Sequence, residues 1–153
     1  MQLTQAVLKE LLSYDPVTGI FVWIVDTPWA IRGQRAGTRQ HDGYRRIGIR
    51  GVGYAEHRLA WVYMTGSFPR LKIDHRNRIR DQNHWTNLRL ATHPQNCQNK
   101  KCSGATLHRS GKWQAQIKVN GKSKYLGLFD DRAAAERAYL AAKAAMHPFW
   151  NPS

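Results

Sequence analysis

The sequence predicts an α+β protein of two domains, the first spanning residues 1–100 and the second residues 104–150. Three observations carry that prediction. Strand-like runs rich in β-branched and aromatic residues are short and separated by Gly-containing turns, as antiparallel hairpins require. The amphipathic helical stretches between them are equally short. After "KKCS", residues 100–103, the pattern restarts as three strand-like runs followed by one Ala-rich helix, a small three-stranded antiparallel sheet packed on a helix.

The elements follow in order. Residues 4–13, "TQAVLKELLS", place Ala6, Val7, Leu8, Leu11 and Leu12 at helical spacing, with Thr4 as N-cap. "YDPVTG" turns the chain into a strand over residues 20–25. Residues 44–50 read as one arm of a hairpin turning at Gly51-Val52-Gly53. Residues 56–65, "EHRLAWVYMT", form a helix stopped by Gly66 and the following Pro69. "LKIDH" is a short strand, the polar stretch after it a long loop carrying Asn87-Leu88-Arg89, and a helix follows Thr92 with Pro94 in its first turn. In the second domain, Ser110-Gly111 and Asn120-Gly121 divide three strands. The strand "KWQAQIKV" alternates Trp113, Ala115, Ile117 and Val119 with Gln114, Gln116 and Lys118, so its apolar face can pack on the helix through Ala134, Ala138, Tyr139 and Ala142.

Charge narrows the function. The 153 residues carry a formal net charge of +14. Fifteen basic against 7 acidic residues lie in the first hundred, and 9 against 3 after them, so both domains are cationic. Nucleic acid is the expected partner. Cys97 and Cys102 make neither a disulfide framework nor, with His93, a convincing zinc site; reduced thiols in a cytoplasmic protein are expected. "MQLTQAVLKELL" lacks the apolar core of a signal peptide and no run is long enough for a membrane span, so no membrane partner is expected.

Chemistry concentrates in "LKIDHRNRIRDQNHWTNLRLATHPQNCQN". Cleaving a phosphodiester needs a base to activate water and a cation to stabilise charge. His75 suits the first role, because an imidazole has a neutral acceptor form at cellular pH. Asp74 offers a carboxylate beside it for a hard cation, Asn96 an amide oxygen, and Asn87 a hydrogen bond to orient the imidazole. His93 lies three residues before Asn96, so either could face the metal; oxygen preference favours Asn96.

This stretch resembles the HNH endonuclease motif, a ββα-metal fold, in the variant of free-standing or intron-encoded phage homing endonucleases whose last His is replaced by Asn. "YAEHRLAWVYMTGSFP" and "LLSYDPVTGIFVW" extend the resemblance over residues 5–100, with a motif core at 54–100. It implies that His75 is the general base, Asp74 and Asn96 ligate one Mg²⁺ or Mn²⁺, and Asn87 positions the base. His57 matches the His of the subfamily's "HRL" and is read as a packing residue. The second domain, through "GKW", "YLGLF" and the Ala/Tyr helix, resembles the plant ethylene-response-factor (APETALA) DNA-binding domain. That implies a DNA face at Thr106, His108, Arg109, Gln114, Gln116, Lys118 and Tyr125. Arg45, Arg46, Arg50, Arg76, Arg78 and Arg80 are assigned to backbone phosphates. The resulting expectation is a monomeric, metal-dependent endonuclease acting on double-stranded DNA; the alternative is a non-catalytic, sequence-specific DNA-binding regulator.

Overall fold

The computed structural model describes residues 3–152; residues 1 and 2, the start of the expected first domain, lie outside them. The chain divides into two compact units, Met1–His93 and Pro94–Ser153, so the break falls before the "KKCS" stretch.

The first unit begins with α1 (Gln5–Leu11), whose N-cap Thr4 accepts a hydrogen bond from the Val7 amide. The helix stops at Leu11, short of the expected residue 13, because Leu12 and Ser13 already pair in β1 (Leu12–Asp15) with β2 (Ile20–Trp23). Alternation then outweighs helical periodicity: Leu12 and Tyr14 point into the core, opposite Trp23 and Phe21. A second sheet joins β3 (Thr38–Arg39), β4 (Arg45–Ile49) and β5 (Val52–Ala55) in that order. Its hairpin turns at Arg50-Gly51 and not at Gly51-Val52-Gly53; both residues have positive φ, 50° and 80°, the geometry that matches strand twist in a two-residue loop. Helix α2 (Glu56–Thr65) has the expected bounds and ends on Gly66 in the left-handed region.

The motif stretch forms β6 (Lys72–His75), a loop closing in a 3-10 turn (Trp85–Asn87), β7 (Leu88–Ala91) and α3 (His93–Gln98). "LRLA" is thus a strand, antiparallel to β6, rather than loop. Leu8, Leu12, Phe21, Ile47, Leu59, Ile73 and Leu88 belong to one core of the first unit. The hairpins and β6–β7 are therefore clamped to a common apolar body.

In the second unit, β9 (Trp113–Val119) lies between β8 (Ala105–Leu107) and β10 (Lys122–Phe129), all antiparallel, and α4 (Arg132–Met146) packs against them. Asp131 caps α4 by accepting from the Ala134 amide. Ala115 and Ile117 are buried as the alternation requires. The stripe buried on α4 is Ala135, Tyr139 and Lys143, with Ala134, Ala138 and Ala142 only half-buried beside it. Lys143 is tolerated because its Nζ donates to the Lys100 carbonyl at 2.7 Å and lies over the Tyr139 and Trp150 rings.

Candidate active site

Asp74 and His75 end β6, and both are buried. Asp74 is directly opposite Arg89 on β7, whose Nε and Nη2 reach its Oδ2 at 2.9 and 2.8 Å. The arginine in contact is thus the cross-strand neighbour, made visible only by the unanticipated β7. Such a shielded pair adds little net stability, but removing Arg89 would leave a buried carboxylate without its counter-charge.

The His75 ring lies 5.3 Å from the His57 ring and 5.9 Å from Tyr44, centroid to centroid. Its Nε2 is 2.9 Å from Asn83 Oδ1. Burial lowers the pKa of His75, against the hydrogen bond to Asn83 and the charge of Asp74, which raise it. The imidazole is therefore biased toward its neutral, proton-accepting form. Burial pushes His57 further, down to about 3, helped by the neighbouring His75 and by Arg58 and Arg46. A ring so reluctant to charge acts as a neutral wall for His75, in keeping with its reading as a packing residue.

Asn87 is buried and works on the loop between β6 and β7. Its Nδ2 donates to Asn77 Oδ1 (3.0 Å) and the Gln82 carbonyl (2.7 Å), its Oδ1 accepts from the Asn77 amide (3.0 Å), and its carbonyl accepts from the Arg76 amide (2.8 Å). One amide side chain thus ties both ends of the loop together. Asn83, the side chain bonded to the imidazole, is carried on that loop.

Other parts of the first unit brace the same loop. The Tyr14 hydroxyl donates to the Asn83 carbonyl at 2.7 Å, and the Trp85 amide donates to the Pro16 carbonyl at 2.8 Å. Gly19, with φ of +75°, lies so near that a Cβ there would come within 2.1 Å of the His84 amide nitrogen. Only glycine meets both demands. On another side, Arg80 donates to the Asp42 carbonyl and Arg39 pairs with Asp81.

Behind Asn83 stands Glu56, fully buried at the start of α2. Its Oε2 accepts from Arg45 Nε at 3.0 Å, and Arg45 also donates to the Gly37 carbonyl. Burial raises the Glu56 carboxyl, while Asn83 and Arg45 pull it down. Asn83 is thus close enough to favour the carboxylate, yet Glu56 Oε1 and Asn83 Nδ2 form no hydrogen bond of good geometry.

The remaining assigned residues are placed as follows. Arg45 is turned inward onto Glu56 and so is not on an outer basic face, whereas Arg46 and Arg50, one and five residues on, are exposed. Arg76 and Arg80 are exposed and Arg78 is half-buried with φ of 65°. Asn96 is half-buried and His93 exposed on α3, the helix at which the two units divide. In the second unit, Gln114 and Gln116 face away from α4, with Thr106 opposite Gln114 and Tyr125 opposite Gln116, so these four share one sheet face with the exposed Lys118. His108 and the exposed Arg109 sit in the turn before it, where His108 Nδ1 and Ser110 Oγ are 2.8 Å apart.

Sequence reasoning missed Asn83, Glu56 and Arg89. Arg89 was recoverable from the Asp74 register once β7 is drawn. Asn83 has no periodicity to betray it, lying in an irregular loop whose shape depends on residues 14–19.

Residues 54–98, which begin in the first unit and end in the second, match the family model described as HNH endonuclease. That segment contains Glu56, His57, Asp74, His75, Asn83, Asn87, Arg89 and Asn96, but not the bracing Tyr14, Gly19 or Arg45. A solved structure, "DNA binding and cleavage by the HNH homing endonuclease I-HmuI", is similar at 26% identity over 75% of this chain and 71% of its own, with a TM-score of 0.47. No curated protein matches the chain. Among the described residues, no helix is long and apolar enough to cross a membrane.

Proposed function

We propose that the protein is a metal-dependent, homing-type DNA endonuclease in which His75 is the general base. The observation that carries this is a buried imidazole, biased toward its neutral form by burial and hydrogen-bonded through Nε2 to Asn83, next to a carboxylate at the end of β6 inside the segment that matches the HNH family. A water proton passes to His75 while the water oxygen bonds to phosphorus and the bond to the departing 3′ oxygen breaks. The donor chemistry fits a hard cation: Asp74 offers a carboxylate oriented by Arg89 through Oδ2, and such cations take few protein ligands. Asp74, with Asn96 as the second oxygen donor assigned by the motif, would hold Mg²⁺ or Mn²⁺, which supplies charge stabilisation at the scissile phosphate and leaving oxygen. Asn87 holds the loop that carries the partner of the imidazole.

Arg46, Arg50, Arg76, Arg78 and Arg80 supply backbone contacts in this reading, with Arg45 left out because its guanidinium is committed to Glu56. The polar face of β8–β10, carrying Thr106, Gln114, Gln116, Lys118 and Tyr125, with His108 and Arg109 in the adjoining turn, supplies a second DNA contact. Gln side chains on a narrow sheet can meet base edges while Lys and Arg meet phosphates. A single site per monomer makes a nick the expected product.

The test incubates supercoiled plasmid and a fragment of the native locus with Mg²⁺ or Mn²⁺, beside EDTA and a His75→Ala variant. Cleavage should require the metal and fall by roughly 10²- to 10⁴-fold in the variant, with DNA affinity unchanged. Tight binding of both DNAs without cleavage at any metal would replace the nuclease by a DNA-binding regulator.

A further inference from the structure

We infer that Asn83 is a positioning residue that fixes the tautomer of His75, and that the Arg45–Glu56 pair orients Asn83 to do so. This rests on His75 being the base. The inference starts from four side chains in series: Arg45 donates to Glu56 Oε2 at 3.0 Å, Glu56 Oε1 and Asn83 Nδ2 are buried without hydrogen bonds of good geometry, and Asn83 Oδ1 lies 2.9 Å from His75 Nε2. Glu56, Asn83 and His75 are 0%, 1% and 4% exposed.

An amide has one accepting and one donating end. Beside the carboxylate of Glu56 the donating end is favoured, which turns the carbonyl of Asn83 toward the imidazole. A carbonyl can only accept, so Nε2 must carry the hydrogen and the ring's lone pair must reside on Nδ1. In that neutral ring Nδ1 is the nitrogen able to take the water proton, and the ring carries hydrogen on both nitrogens only after transfer. If Asn83 were reversed, its Nδ2 would donate to Nε2, the hydrogen would move to Nδ1, and the acceptor would be spent inside the protein. Arg45 matters because it neutralises a carboxylate with no exposure of its own. The slack between Glu56 and Asn83 is the part of this chain that a small displacement can close.

The experiment labels the protein with ¹⁵N-histidine and reads the His75 ring nitrogens at fixed pH, alongside single-turnover cleavage and DNA affinity. Wild-type protein should show the Nε2–H form. Asn83→Ala and Glu56→Gln should each give a mixture of tautomers and about a 10- to 100-fold lower cleavage rate, with DNA affinity within about twofold. The double variant Glu56→Gln with Asn83→Asp keeps a donor facing a carboxylate and an acceptor facing the ring, so it should recover the Nε2–H form and rate relative to Glu56→Gln alone. An Nδ1–H form in the wild-type protein overturns the inference without needing any variant to fold. So does an unaltered tautomer in Glu56→Gln, or a double variant no better than the single. Cleavage that survives His75→Ala overturns the base assignment itself, whatever the tautomer.

Discussion

Two polar regions of this protein look alike in composition and differ in what holds them. The loop between β6 and β7 is crowded with Arg, Asn, Asp and Gln, as is the outer face of β8–β10 with Gln, Lys and Tyr. In the loop, Asn83 and Asn87 are buried and bonded from several directions, Asn83 to Tyr14 on β1 and to His75, Asn87 to Asn77 and Gln82. On the sheet face, the side chains of Gln116, Lys118 and Tyr125 are exposed. Buried polar groups must find partners and so define one geometry. Exposed ones leave the geometry to whatever they bind. Damage to the first region should therefore be cooperative and structural, and damage to the second should be small and additive.

Gly19→Ala is the strongest way to break that contrast. A Cβ within 2.1 Å of backbone at a φ of +75° cannot be relieved by a rotamer change. It should destabilise the first unit by roughly 2–4 kcal/mol, measured by urea unfolding, and lower cleavage although residue 19 touches no DNA in the proposed mechanism. Wild-type stability and activity in the variant would mean the turn is not a brace.

Acid should produce the next largest effect. His57 is neutral when folded, with a pKa near 3, while the unfolded chain takes up a proton below its ordinary 6.5. Stability is thus complete above pH 6.5 and falls as pH drops toward 3, by on the order of 2 kcal/mol at pH 5 from this group. His75, also lowered, adds with the same sign. Unfolding of wild-type protein and His57→Asn at pH 7 and pH 5 tests this: the variant should lose part of the pH dependence.

Smaller effects belong to the sheet. Lys118→Ala should weaken DNA binding about equally on every sequence and reduce the salt slope by about one, as loss of one phosphate contact does. Smallest of all, Lys112→Ala should leave the melting temperature unchanged. The Lys112–Asp130 pair is 2.8 Å long but its partners are 53% and 88% exposed, so water and salt screen it.

The sequence made some of this architecture plain and hid the rest for physical reasons. Helix α2 was legible because its apolar spacing and Gly66 agree with its tertiary fate. The end of α1 was not, since Leu12 fits a helical stripe and a strand equally well and pairing with Trp23 decides between them. Alternation in "KWQAQIKV" marked the inner and outer faces of β9. Lys143 defied reading because an Ala-rich helix gives no hint that an ammonium lies beneath it. At the site, the reactive pair stood out by residue type, but the Asn83 contact depends on a loop shaped by residues some seventy positions away.

That last contact sets an order of events. The Tyr14–Asn83 and Pro16–Trp85 hydrogen bonds each join residues 69 apart, so they close a large ring of chain at considerable entropic cost. Topologies rich in contacts of such span fold slowly. A chain that has assembled its local hairpins and α2 but not yet seated the turn at Gly19 would have Asp74 and His75 on a strand and no aligned imidazole. With His75 as the base, as proposed, such a copy would lack its aligned proton acceptor, so cutting competence would depend on closure of the first unit.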